Sequence, residues 1–232
     1  MDIPSNHNLS ELKKILGVDF KDEKILFEAL THRSYLNETP NKGLSSNERL
    51  EFLGDSVLSF WVSNKIFCLF PDLPEGKLTF IRTYLVRTTT LTVLAQKLSL
   101  GDFLLMSKGE EMGGGRENVA LMANSFEAVL GAIFFDSGFA VAEKFLEKNF
   151  AELLTNLSDP DQLKDSKSIL QEKVQAKGSF SPVYKLVTST GPDHKKIFTM
   201  AVFVDEKQIA EGTSKSKQEA EELAAKNALE IL

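Results

Sequence analysis

Cysteine occurs once in this chain, at Cys68, and histidine only three times. A single cysteine excludes an intrachain disulfide, and no Cys/His cluster has the spacing of a zinc site. Cys68 sits among Ile66, Phe67 and Leu69, a setting that predicts a buried structural thiol rather than a nucleophile. Long apolar runs are missing too. None reaches 18 residues, so no membrane span and no membrane partner is expected. Met1 to Ser10 is polar and lacks the apolar stretch of a signal peptide, which with the lone cysteine points to a cytoplasmic protein. Internal repeats and low-complexity tracts are absent. Positive charge is in short supply as well, with 27 Lys and Arg against 33 Asp and Glu, a net charge of −6. Such a balance argues against phosphate binding until it is divided. Residues 1–165 hold 17 basic against 24 acidic side chains, whereas residues 166–232 hold 10 against 9.

That division follows a change of texture. From about Leu9 to Leu154 the pattern is helical throughout, with breaks at Thr39–Ser46, at Phe70–Glu75 with its two prolines, and at the glycine-rich Gly109–Glu117. Ser158-Asp159-Pro160-Asp161 is a polar exit, and Gln162–Ser166 suits a linker. Ile169–Ala176 then reads as a helix. Val183–Thr188, Ile197–Val204 and Gln208–Gly212 read as strands, and Lys217–Ile231 as a closing helix. The order α-β-β-β-α predicts an antiparallel sheet with both helices on one face.

Two helical segments carry acids where an amphipathic helix would not need them. In Asn47-Glu48-Arg49-Leu50-Glu51-Phe52-Leu53-Gly54-Asp55, spacings of three and four align Glu48, Glu51 and Asp55 in one stripe. Glu127 is the one charge opening the apolar run Ala128–Phe135, and burial of an uncompensated carboxylate is costly. Two readings are open. Leu50, Leu53, Val57 and Trp61 line the opposite side of the first helix, so the acids fit a solvated face. Alternatively they ligate a divalent cation between two helices. Like-charge neighbours, flanking Phe52 and Leu58, and a mid-helix Gly54 that implies close approach by another backbone all favour the second reading.

The segment NERLEFLGDSVL closely resembles the signature of the bacterial ribonuclease III family. Ala29–Tyr35 resembles the helix before that signature, and Lys108-Gly109-Glu110 with Gly113-Gly114 resembles the linker after it. FEAVLGAIFFDSG resembles the second acidic helix, and the last 67 residues resemble a double-stranded-RNA-binding domain. The resemblance implies an all-α nuclease domain over 1–157, a linker over 158–165 and an α+β RNA-binding domain over 166–232. It implies a metal cluster of Glu51, Asp55, Asn124 and Glu127, holding Mg²⁺ with Mn²⁺ able to substitute. Asp55, Glu127 and Glu48 become the catalytic candidates. His32 reads as buried and hydrogen-bonded rather than catalytic.

Position 124 departs from the pattern, because the family most often has aspartate there. An asparagine oxygen still ligates Mg²⁺ but brings no charge and cannot act as a base. Either the site works with an amide ligand, or the chain binds duplex RNA with weakened or lost cleavage, or another residue fills the ligand's role. In the RNA-binding domain the resemblance assigns Ser168, Gln171, Glu172 and Gln175 to one minor groove and His194 to the next. Lys215, Ser216 and Lys217 fall on the phosphates between them. The family usually has a second basic residue where Gln218 stands. The resemblance further implies a homodimer through the nuclease domain, with Phe52, Leu53 and Trp61 assigned to that interface or to the core. It implies products with 5′-phosphates and 3′-hydroxyls, and roles in ribosomal-RNA precursor and message processing.

Overall fold

The computed structural model describes residues 9–39, 43–158, 166–192 and 196–232, which fall into two compact units, Met1–Ser158 and Asp159–Leu232. The linker assigned to 158–165 therefore lies almost wholly outside the described residues, as does His194.

The first unit is helical: α1 Leu9–Leu16, α2 Glu23–Ala29, α3 Arg33–Glu38, α4 Glu48–Leu69, α5 Glu75–Val86, α6 Thr88–Lys97, α7 Leu100–Phe103, α8 Lys108–Met112, α9 Val119–Ser137 and α10 Phe139–Thr155. Its core is built around α4 and α9. Pro74 precedes α5, and Gly138 at φ +83° separates α9 from α10, a backbone conformation that glycine adopts without strain. The Asn118 side chain caps α9 by accepting hydrogen bonds from the Ala120 and Leu121 amides at 3.0 and 3.2 Å. Among the described residues α9 is the one helix long and apolar enough to cross a membrane, yet its middle, Met122 to Ile133, is mostly buried against its neighbours. Phe126 and Trp61 both pack on Phe150, with ring centroids 6.3 and 5.5 Å apart. Trp61 is thus a core residue.

The helices also cross through backbone contact. A Cβ placed on Gly54 of α4 would overlap the Glu127 carbonyl of α9 and come within 3.0 Å of the Gly131 nitrogen. A Cβ on Gly131 would overlap the Leu50 carbonyl and come within 3.0 Å of the Gly54 nitrogen. The expected close approach at Gly54 is present, and Gly131 completes it from the other side.

A second set of bonds fixes the start of α4. The Asn47 amide donates to the Thr31 carbonyl at 2.8 Å, the His32 amide to Leu105 at 2.8 Å, and the Leu105 amide to Leu30 at 2.9 Å. Thr31 and Asn47 are buried here.

The expected burial of Cys68 does not hold. It is exposed, with Phe67 and Leu69 beside it, because in the last turn of α4 only Ile66 points inward. Each helical step turns the side chain by about 100°, so apolar neighbours in sequence do not share a face.

The second unit has the expected order: α11 Ser166–Ala176, β1 Val183–Thr190, β2 Ile197–Val204, β3 Lys207–Ser214 and α12 Lys217–Ile231. The strands pair antiparallel as β1-β2-β3. Tyr184, Val202 and Ala210 lie side by side in register and pack with Leu170 and Val174 of α11 and Ala224, Ala225 and Ala228 of α12. Both helices therefore share one face of the sheet. Strand β1 runs two residues longer than expected and β3 three, since pairing extends to Thr190↔Ile197, Phe198↔Ser214 and Val204↔Lys207.

Candidate active site and RNA-binding face

The acidic stripe opens α4. Glu48 and Glu51 occupy its first turn, where backbone amides favour negative charge, and Asp55 follows one turn on. Glu127 and Asn124 lie one turn apart on α9. The crossing at Gly54 and Gly131 brings the two sets together. Glu48, Glu51, Asp55, Asn124 and Glu127 all line one cavity of about 550 Å³, and His32, Arg33, Asn47, Phe52, Leu104 and Leu121 form the rest of its wall.

Negative charge in this cavity is poorly compensated. Burial pushes the Glu127 carboxyl up to about 7, with Asp55 and Glu51 adding to the effect. Glu51 is also raised, first by burial and then by Glu48 and Asp55. Glu48 turns one oxygen to the Ser46 hydroxyl, which donates to it at 2.9 Å, and has Arg33 at 3.9 Å from the other. Among the described residues, no three His, Cys, Asp or Glu side chains stand as a ready-made metal cage. The carboxylates share a cavity without closing on one point.

His32 sits at the start of α3, half-buried. Its Nδ1 lies 2.8 Å from the Ser34 hydroxyl oxygen, which also accepts from the Ser107 amide at 3.0 Å. The expected hydrogen bonding is present, but the expected burial is only partial, and the ring reaches the cavity wall.

In the second unit, Ser168, Gln171, Glu172 and Gln175 follow a spacing of three, one and three along α11, away from buried Leu170 and Val174. Gln171, Glu172 and Gln175 are exposed, and Gln175 donates to the Ser181 hydroxyl at 3.0 Å. Lys215, Ser216 and Lys217 gather at the start of α12. The Ser216 hydroxyl accepts from the Glu219 amide at 3.2 Å, so it caps the helix, while both lysines are exposed. Gly212 of β3 lets α12 lie on the strand, since a Cβ there would overlap Ala220 and Ala224 backbone atoms. That contact fixes where the lysine-bearing end of α12 emerges.

A family model described as Ribonuclease-III-like matches residues 22–154. The chain belongs to the ribonuclease III family. A second model, Double-stranded RNA binding motif, matches residues 166–232. A Ribonuclease 3 of Carboxydothermus hydrogenoformans is 44% identical over 225 residues, spanning 97% of this chain and 96% of that protein. One from Borreliella afzelii is 42% identical over 224 residues, spanning 97% and 91%. The nuclease domain of ribonuclease III from Campylobacter jejuni superposes with a TM-score of 0.57 at 40% identity, covering 62% of this chain and 99% of that one. The chain is accordingly an endoribonuclease of this family acting on double-stranded RNA.

As a ribonuclease III, the chain carries cavity residues that sequence reasoning did not assign. His32 and Arg33 come from the segment resembling the family's pre-signature helix, but nothing in their spacing ties them to acids 15 and more residues away. Asn47, directly before Glu48, was the legible one.

Proposed function

We propose that this ribonuclease III hydrolyses duplex RNA with Mg²⁺, leaving 5′-phosphate and 3′-hydroxyl ends, and that Mn²⁺ substitutes. One observation carries the reading: four carboxylates and an amide from two distant helical segments line a single cavity. Their chemistry fits a hard divalent cation, which takes oxygen ligands and keeps several waters. The raised Glu127 carboxyl marks uncompensated negative charge of the kind such an ion would offset. Glu51, Asp55, Asn124 and Glu127 would hold it, with side-chain rotation closing the set.

When bound, the ion supplies positive charge to the phosphate oxygens and acidifies water. The chain's own residues do the rest. Asp55 and Glu127 are the catalytic pair, presented by the crossing of α4 and α9. Burial raises the Glu127 carboxyl to about 7, and a bound cation would favour its charged form, which presents its Oε atoms as ligands. Glu48, tied to Ser46 and Arg33 at the rim, acts on water or RNA rather than in the ligand set. Asn124 contributes a neutral oxygen. Ser168, Gln171, Glu172, Gln175, Lys215, Ser216 and Lys217 hold the duplex by shape and phosphate charge, and His194 joins them. Residues 158–165 link the two units.

The working form is a homodimer through the nuclease domain. Phe52 is 76% exposed on a largely apolar cavity of about 630 Å³ lined by Ile25, Leu50, Leu53 and Phe135 together with Glu28, Glu48 and Arg49. A ring left in water beside an apolar socket suits a second copy of the same surface. The solved Campylobacter jejuni nuclease domain carries a region named for dimer formation. Cytoplasmic maturation of ribosomal-RNA precursors and messages is the role the family suggests, and the exposed free thiol of Cys68 suits a reducing compartment.

The test is cleavage of a perfectly paired RNA of about 30 bp with Mg²⁺ and with EDTA, alongside Asn124→Asp. Metal-dependent cutting by the unaltered chain supports the proposal. Retention of RNA without cutting, restored only by Asn124→Asp, would replace it with a duplex-binding protein.

A further inference from the structure

A polyanion entering the acidic cavity meets four carboxylates, and among the residues lining that cavity the one permanent cation is Arg33. The same residue lines a second, polar groove of about 400 Å³ whose wall includes Ser34, Asn37, Asn118 and Glu110. The two hollows share His32, Arg33 and Leu121, so they adjoin on either side of those residues.

Arg33 is held there loosely. Its only ion-pair partner among the described residues is Glu48, at 3.9 Å, with both side chains largely exposed. Such a pair is weak and screened by salt, so an incoming phosphate displaces it easily. Glu48 keeps its bond from Ser46 when Arg33 leaves. The groove's other polar groups are partly committed. His32 uses Nδ1 on Ser34, which leaves Nε2 for a ligand. Asn118 uses its oxygen to cap α9, which leaves its NH₂ donors. The available groups are thus mainly donors suited to phosphate oxygens and ribose hydroxyls, with Glu110 the one opposing carboxylate.

We propose that this groove is a subsite for the RNA strand next to the bond being cut. Arg33 is its phosphate-binding residue, and His32 and Asn118 contact the adjoining sugar-phosphate backbone. Arg33 releases Glu48 as it engages the phosphate, which frees that carboxylate at the moment RNA arrives. The inference rests on the nuclease reading above and adds where the flanking strand lies.

The experiment uses the full chain and a perfectly paired RNA duplex across a KCl series. It compares unaltered protein, Arg33→Ala, Arg33→Lys and Lys97→Ala, the last removing an equal charge from a surface pair with Glu152. Cleavage is read with Mg²⁺, and binding is read separately with EDTA. Arg33→Ala should raise KM about 10-fold with a much smaller change in kcat. It should also flatten the plot of log affinity against log salt by about one unit, the signature of one lost phosphate contact. Arg33→Lys should keep the slope, and Lys97→Ala should match the unaltered protein. An unchanged slope and KM in Arg33→Ala, with an unchanged melting temperature, would overturn the proposal. Should the unaltered chain fail to cleave, the nuclease reading falls, while the binding slopes still decide the subsite.

Discussion

Gly54 and Gly131 face each other across the crossing of α4 and α9, each occupying space that a side chain on the other's helix would need. Asp55 adjoins the first glycine, and the Glu127 carbonyl is what a Cβ on that glycine would strike. The distance between the two acidic segments is therefore set by two missing methyl groups.

Alanine at either position forces backbones apart, and the cost of such overpacking runs about 1–3 kcal/mol. Gly54→Ala and Gly131→Ala should each lower the stability of the first unit by roughly that amount. Gly76→Ala, where a Cβ meets nothing within 4 Å, should be neutral or slightly stabilising. Urea unfolding of the three variants makes the comparison. Equal effects at all three sites would contradict the close approach.

Glu127 gives a pH dependence whose sign is fixed. Its carboxyl is raised from 4.5 to about 7 by burial first, then by Asp55 and Glu51. Between those values the folded protein holds a proton that the unfolded chain has released. Stability without metal should therefore fall as pH rises from about 4.5 to about 7, and stay lowered above. Glu127→Gln should match the unaltered protein at pH 4 and exceed it at pH 8 by on the order of 1–2 kcal/mol, discounted for solvent screening. Thermal unfolding in EDTA reads this, and added Mg²⁺ should narrow the gap at pH 8.

Asp55→Asn and Glu127→Gln should each cut duplex cleavage by at least ~100-fold while leaving RNA retention on a native gel intact. Asn124→Asp should lower the Mg²⁺ concentration needed for half-maximal cleavage, because a carboxylate adds charge where the amide adds none. A higher requirement would remove Asn124 from the ligand set.

Phe52→Glu places a charge where an exposed ring stands beside an apolar socket. Sedimentation should show the unaltered protein as a dimer and this variant as a monomer at micromolar concentration. A monomeric unaltered protein would dismiss the interface.

Lys215→Ala with Lys217→Ala should weaken duplex binding without altering the melting of the second unit, since both side chains are exposed. The salt slope should drop by about one per lysine. Ser216→Ala, by contrast, should cost about 1 kcal/mol of stability through the lost cap.

Periodicity made α12 legible to the residue, because an Ala- and Glu-rich run bounded by Ser216 has one stable solution. The acidic site was legible through its oddities: a like-charged stripe, a lone carboxylate in an apolar run, a glycine inside a helix. Gly131 escaped notice because in Ala128–Phe135 a small residue looks like any other core position. His32 and Arg33 escaped because their part in the cavity depends on backbone bonds that join His32 to Leu105 and neighbouring Thr31 to Asn47, which no local pattern encodes. Cys68 was misplaced for a simpler reason. Neighbours in sequence stood in for neighbours in space, and on a helix they differ.

The bonds that join Thr31, His32, Asn47 and Leu105 have a further consequence for motion. They tie one wall of the cavity to the start of α4 and to the segment after α7, in a buried setting. The amide hydrogens of His32, Asn47 and Leu105 should then exchange with solvent only when the whole first unit opens, not through local fraying. Three slow amides in the wall of a site that takes RNA would act as built-in reporters, reading the arrival of substrate from within the chain itself.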